Sequence, residues 1–240
     1  MKIIQYGKEN SKTVVLIRPL YAADDYFDKV IPYLSGKYHI VVPMLTDHDD
    51  GDAEGEFHSI AETAVLIELW LANRGYPEVR CVYGSSVGAA AALHMLSDGR
   101  IRIYSAVTDG RLAPETLPAP LVTARDIISS PSAVISGLRG KDERHDGRSI
   151  RNIRNTSRAL GGQEIKDETC YSSAKVIYMF SEEDKSRRIK DIRYLKQQFP
   201  GVRFMRLGNS SDPALEEPRR LASVIERACS SASYPTKKGS

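Results

Sequence analysis

Short apolar, β-branched runs recur along the chain, and between them apolar residues return every three or four positions. The first pattern is clearest at Thr13-Val14-Val15-Leu16-Ile17, apolar on consecutive positions as in a strand covered on both faces. His39-Ile40-Val41-Val42-Pro43, Val79-Arg80-Cys81-Val82-Tyr83, the segment from Ile101 to Val107, Lys175-Val176-Ile177-Tyr178-Met179-Phe180 and Val202-Arg203-Phe204-Met205-Arg206-Leu207 read the same way. Lys2 to Tyr6 makes a short edge strand. The second pattern predicts a helix over 24–35, with Asp24 as its cap and Tyr26, Phe27, Val30, Ile31 and Leu34 on one side. It predicts another from Ser59, an N-cap with Glu62 three residues on, through Ile60, Ala64, Ile67 and Leu71 to about Asn73-Arg74-Gly75. Further helices follow Gly88, run through Ile189, Ile192, Leu195 and Phe199, and carry Leu221, Val224, Ile225 and Ala228. Strands alternating with helices imply an α/β fold with a mostly parallel sheet flanked by helices.

Two stretches break the rhythm. Residues 46–56 are dominated by Asp, Gly and Glu and form a polar loop that lacks the Gly and terminal Glu spacing of a calcium loop. Residues 111–170 are interrupted by Pro114, Pro118, Pro120 and Pro131, with helical pieces at about 121–138 and 146–160. The expected organisation is a core of 1–110 and 171–229, a small helical cap insertion at 111–170, and a flexible Ser, Lys and Gly-rich tail at 230–240.

Composition narrows the function classes. The 240 residues carry 34 Lys and Arg against 31 Asp and Glu, a formal charge of +3 too small to imply nucleic-acid binding. The local clusters, Lys185, Arg187, Arg188 and Lys190, and Arg144, Arg148, Arg151 and Arg154, read as solvated helix faces. A chain this long buries roughly 70–75 % of its unfolded surface, and no run reaches the roughly 18 apolar residues of a membrane span. No signal peptide is expected at Met1-Lys2-Ile3-Ile4-Gln5-Tyr6-Gly7. Cys81, Cys170 and Cys229 are far apart and odd in number, and neither they nor the five histidines follow a metal-ligand spacing. A reducing, cytoplasmic setting is expected, with no metal and no cofactor.

The chemistry concentrates at Gly84-Ser85-Ser86-Val87-Gly88. It matches G-x-S-x-G and sits between a strand and a helix, where that motif must sit. So tight a turn strains the serine backbone and demands small neighbours two positions to either side; both are glycine. The hydroxyl then projects at the C-terminal edge of the sheet, and the helix N-terminus offers N–H groups to a developing oxyanion.

With this motif and the order of elements over 13–96, the chain resembles the α/β-hydrolase superfamily over most of its length. In particular it resembles small bacterial members related to meta-cleavage-product hydrolases and acyl esterases. The resemblance implies Ser86 as nucleophile. It implies an acid in the turn after the strand that follows the cap, where Ser181-Glu182-Glu183-Asp184 stands. Asp184 is the favoured acid, Glu183 a neighbour able to substitute, and Asp109, one strand earlier, the alternative. The oxyanion hole falls to Leu20 or Tyr21 with Val87.

Two positions depart from the family pattern. The histidine that should follow the last strand is Asn209, in Leu207-Gly208-Asn209-Ser210-Ser211-Asp212-Pro213, and no histidine follows His145. A serine hydroxyl needs a base to take its proton, and an amide is not one. The family's histidine after the first long strand is replaced by Arg18, which either binds a carboxylate ligand or forms a structural ion pair. His94, eight residues beyond Ser86 on the helix, is about 12 Å away along the axis and is a packing residue. His39 and His58 are not at the catalytic edge. His48 and His145 remain as nonstandard bases.

Three functions are therefore expected to compete: a serine hydrolase of small carboxylic esters or acyl compounds, an inactive homologue that binds a small molecule or partner protein, and a nonhydrolytic lyase or cyclase in which Tyr21 or Asp109 matters more. The pocket-lining candidates are Arg18, Tyr21, Ile127 and Ile128. Leu121, Val122, Val134, Ile135 and Leu138 line or roof the pocket beside them. The expected partner is a small acyl or carboxylate ligand, with no nucleic acid and no membrane.

Overall fold

The computed structural model describes residues 1–20, 22–45, 59–112, 159, 174–182, 188–208, 210 and 212–230. Seven strands form one sheet: β1 (Ile3–Tyr6), β2 (Thr13–Ile17), β3 (His39–Pro43), β5 (Cys81–Ser85), β7 (Ser105–Asp109), β8 (Lys175–Ser181) and β9 (Arg203–Leu207). Their order is β1-β3-β2-β5-β7-β8-β9, parallel throughout except β1, which pairs antiparallel with β3 at the edge. This is the α/β-hydrolase arrangement, a mostly parallel sheet with helices on both faces. β2, β3, β5 and β7 are buried along their whole length. That burial is why they read as continuous apolar runs rather than as alternation.

The helices divide the core in two. α2 (Ile60–Asn73) and α3 (Val87–Asp98) cover one face, where Val15, Ile17, Val82 and Ala106 meet Ile67, Leu71 and the run Ala89 to Ala92. α6 (Pro218–Ser230) and α1 (Ile31–Leu34) cover the other, with Leu16, Tyr83, Val107 and Met179 beneath Leu221 and Ile225. α4 (Ile189–Gln198) and the single turn α5 (Pro213–Glu216) complete the helices used below. α2 starts as its sequence requires, with Ser59 Oγ accepting from the Glu62 N–H.

Three readings are corrected. The helix expected over 24–35 is only Ile31–Leu34; the chain before it runs in turns, with Asp28 N–H on Asp25 O and Val30 N–H on Phe27 O. Pro32 accounts for this, since it lacks an N–H and is tolerated only in a helix's first turn. Asp24 is no cap and instead pairs with Arg18. The strands expected at 79–83 and 101–107 are each divided: β4 (Glu78–Val79) and β6 (Arg102–Ile103) pair in a separate two-stranded sheet, and the chain enters the main sheet only at Cys81 and Ser105. The expected cap and tail lie outside the described residues, apart from 111, 112, 159 and Ser230.

Candidate active site

The elbow is built as the motif requires. Ser86 has φ 54° and ψ −116°, and it is the only non-glycine residue with positive φ among the described residues. Its N–H donates to the Asp109 carbonyl at 3.1 Å, and its own carbonyl accepts from Ala90. The two flanking glycines are enforced by contact. A Cβ on Gly84 would stand 2.2 Å from the Gly88 carbonyl oxygen, and one on Gly88 2.3 Å from the Ile17 carbonyl oxygen and 2.7 Å from that of Arg18. Gly110, at φ +82°, presses on Ser86 from the next strand, and a Cβ there would lie 2.8 Å from Ser86 N. The half-buried serine is therefore held at the C-terminal edge, between β5 and the first turn of α3.

The contact of Gly88 with Ile17 and Arg18 brings the segment after β2 against the N-terminus of α3. Leu20, in that segment, is buried, and Val87 opens the helix. Leu20 and Val87 are two of the residues that the family resemblance implies for an oxyanion hole. Tyr21, the third residue assigned there, lies outside the described residues.

Asp109, the last residue of β7, is buried beside the elbow. The Tyr83 hydroxyl donates to its Oδ2 at 2.6 Å. The Ser85 hydroxyl lies between the Asp109 carboxyl and the Tyr26 phenol. Tyr26 in turn donates to Asp212 Oδ1 at 2.8 Å, and Asp212 caps α5 through the Leu215 N–H. Burial pushes Asp109 up to about 7, against the pull of the Ser85 and Tyr83 hydrogen bonds. Burial also raises Asp212, with Tyr26 opposing it. Both phenols are pushed well above the usual tyrosine range by burial and by these carboxyls, so they stay protonated donors.

Below the edge, Asp109, Gly110, Ser181, Arg188, Ser210 and Pro213 line a void of about 10 Å³, the room of one water. The Ser210 hydroxyl is buried there without a hydrogen-bond partner. Arg18 is 1 % exposed, and its Nη1 donates to the Ala22 carbonyl at 2.6 Å and to Asp24 Oδ1 at 2.8 Å.

Of the residues singled out from sequence, Ser86, Asp109, Val87, Leu20 and Arg18 converge on one edge. Asp184, Glu183, Asn209, Tyr21, Ile127, Ile128, His48 and His145 lie outside the described residues. No hydrogen bond to the Ser86 hydroxyl is present among the described residues. His94 is mostly buried on α3, its Nε2 buried without a partner, and burial lowers its pKa. His39 is buried at the opposite end of β3, where its ring nitrogens meet Thr13 and Gln5. Among the described residues, no three His, Cys, Asp or Glu side chains gather as a metal site, and no helix is long and apolar enough to cross a membrane.

Sequence reasoning missed the hydrogen-bonding residues around Asp109. Tyr26 and Tyr83 read as apolar positions, and only the structure shows their hydroxyls meeting carboxyls. Asp212 did carry a signal, since Asp followed by Pro is an N-cap followed by a helix's first residue.

No protein-family model and no curated protein sequence matches the chain. Solved structures do. An α/β-hydrolase family protein from Desulfitobacterium hafniense is similar with a TM-score of 0.73 at 18 % identity, over 94 % of this chain and 99 % of that one. MGS-M2, an α/β-hydrolase enzyme from a Medee basin deep-sea metagenome library, is similar at 0.71 and 12 %, over 98 % and 96 %. The epoxide hydrolase CorEH is similar at 0.68 and 17 %, over 95 % and 94 %. Likeness at such identities establishes the fold and leaves the reaction to the residues of the site.

Proposed function

We propose that this chain is a serine hydrolase of small carboxylic esters or acyl compounds, with Ser86 as nucleophile. The observation that carries this reading is the backbone of Ser86. A non-glycine residue at φ 54° costs of order 1–3 kcal/mol. Here Gly84, Gly88 and Gly110 are packed so closely that the strained turn is the shape the surroundings accept. A turn that only joined a strand to a helix would have no need of serine at that point.

In this reading the Ser86 hydroxyl adds to the acyl carbonyl and gives its proton to water. The ester C–O bond breaks as the alcohol leaves with a proton, and a second water cleaves the acyl–Ser86 bond to release the acid. The oxygen that becomes negative is received by the Val87 N–H and an N–H of the Leu20–Tyr21 segment, at the positive end of α3. Asp109 is the carboxylate that the described geometry supports as the acid, buried and aligned by Tyr83; Asp184 remains the alternative that the family pattern favours. The resemblance to small acyl esterases and meta-cleavage-product hydrolases supports a small acyl substrate. In the family's sequence pattern, the position of the base holds Asn209. Turnover is then slow, carried by the oxyanion hole and binding, which in serine hydrolases stripped of a triad member still give roughly 10³–10⁴ over water.

The lack of a hydrogen bond to the Ser86 hydroxyl among the described residues, and Asn209 in the sequence, favour a second reading, a homologue that binds an acyl ligand without cleaving it. A fluorophosphonate probe and a short-chain chromogenic ester separate the two, applied to the native chain, Ser86→Ala and Asn209→His. Labelling and turnover in the native chain, lost in Ser86→Ala, support the hydrolase. Reaction in Asn209→His alone supports the disarmed binder. Silence in all three overturns the role of Ser86.

A further inference from the structure

Arg18 is buried with most of its donors unused. A guanidinium carries five N–H groups. Nη1 spends its pair on the Ala22 carbonyl and Asp24. That is enough to tie down the turn after β2. Nε and Nη2 are buried and have no hydrogen-bond partner. Leaving donors of a buried cation unpaired is costly, because the water they lose is not replaced. Asp24, 61 % exposed, meets only one edge of the fork.

The place of Arg18 gives these donors a use. β2 and β5 are paired through Ile17 and Gly84. One residue further along the same parallel register, Arg18 stands level with Ser85, about 5 Å away across the strands. Its carbonyl also touches the first turn of α3 at Gly88. The Arg18 backbone therefore stands one strand from the elbow, its carbonyl beside the first turn of the twelve-residue α3, and its buried guanidinium keeps the Nε and Nη2 edge unpaired. A carboxylate accepts through two oxygens and matches the free edge of a guanidinium.

We propose that this edge binds acyl compounds bearing a second carboxylate, which pairs with Nε and Nη2 of Arg18 while the acyl carbonyl lies at Ser86. The assignment rests on the reading of Ser86 as the residue that meets the acyl group. The ligand class is then the half-esters of short dicarboxylic acids, since Arg18 and the residue before Ser86 lie on neighbouring strands.

The test uses the purified full chain with malonate, succinate and glutarate, and with their dimethyl esters as uncharged counterparts. Binding is measured by calorimetry for the native chain, Ser86→Ala, Arg18→Lys and Arg18→Gln. At least one dicarboxylate should bind the native chain and Ser86→Ala, and bind at least tenfold more weakly to Arg18→Gln. Arg18→Lys should fall between them, and added salt should weaken the native complex. Should circular dichroism show that Arg18→Gln does not fold, the Arg18 Nε–H resonance of the native chain decides, moving downfield with the dicarboxylate and staying still with the diester. Equal binding by Arg18→Gln, a still resonance, or no binding across the series overturns the proposal. Turnover of the monomethyl half-esters is read separately. Binding that depends on Arg18 without turnover keeps this site and removes the hydrolase reading. Turnover of half-esters unchanged in Arg18→Gln does the reverse.

Discussion

The Tyr83 hydroxyl donates to Asp109 Oδ2 across 2.6 Å, joining the C-terminal ends of two neighbouring strands immediately beside the elbow. Its consequence is a pH dependence with a definite sign. Asp109 lies near 7 in the folded chain and near 4 once unfolded, so between these values the folded state keeps a proton that the unfolded state releases. Its contribution to stability is complete below about pH 4 and is lost as pH rises to about 7. Asp109→Asn, which keeps an acceptor for Tyr83, should flatten this part of the profile and stabilise the fold at pH 8 by about 1–3 kcal/mol. Tyr83→Phe removes a donor that favours the carboxylate, so it should push the Asp109 titration higher. Urea unfolding between pH 4 and 8 checks both, and a profile indifferent to Asp109→Asn would show that the carboxyl is solvated.

Strain at the elbow predicts that the Ser86 side chain can be removed with a gain in stability. Ser86→Gly relieves the positive φ and should stabilise the chain by about 1 kcal/mol; Ser86→Ala, which keeps its Cβ, should not. Gly88→Ala should do the opposite, because its methyl group would meet backbone oxygen and not a movable side chain. A loss of about 2–4 kcal/mol is expected, read as a fall in Tm of about 5–15 °C. Thermal unfolding of the three variants is the check, and an unchanged Tm in Gly88→Ala would contradict the contact of α3 with β2.

A second buried carboxyl lies away from the site. Glu68, on α2, has no exposure, and its carboxyl faces the Asp98 carboxyl and the backbone of Ile101. Burial, with Asp98 nearby, pushes it up to about 8. The sign is that of Asp109, with stability falling as pH rises from about 4.5 to 8. Glu68→Gln should therefore change little at pH 5 and stabilise by about 1–2 kcal/mol at pH 8. Chemical unfolding at the two pH values tests this, and equal effects at both would place the carboxyl in water.

What the sequence disclosed follows from what fixes each feature. β2 and β3 were legible with their bounds because burial on both faces leaves an unbroken apolar run. The elbow was legible because backbone contact at 84 and 88 excludes any side chain. The split of 79–83 and 101–107 was not legible, since Val79 and Ile103 are as apolar as the strands they adjoin and only pairing distinguishes them. The partners of Asp109 and Asp212 were hidden for a related reason: Tyr83 and Tyr26 spend nearly all their surface in the core, so their pattern reports packing and not the hydroxyl.

The last prediction joins the elbow to the residue that departs from the family pattern. If the scaffold lacks only a base, Asn209→His should restore one. General-base assistance contributes typically 10²–10⁴-fold, so labelling and ester turnover should rise by about two orders of magnitude or more. An imidazole acts in this role only when a carboxylate holds its far nitrogen. The described geometry offers Asp109, so Asp109→Asn in the Asn209→His background should abolish most of the gain while Asp184→Asn leaves it. The reverse outcome would move the acid to the turn after β8. The pH profile supplies a readout that a merely structural effect would not. With Asp109 as partner, the activity of Asn209→His should rise to a plateau as both imidazole and carboxyl lose their protons near pH 7, and Tyr83→Phe should shift that rise to higher pH by keeping Asp109 protonated longer.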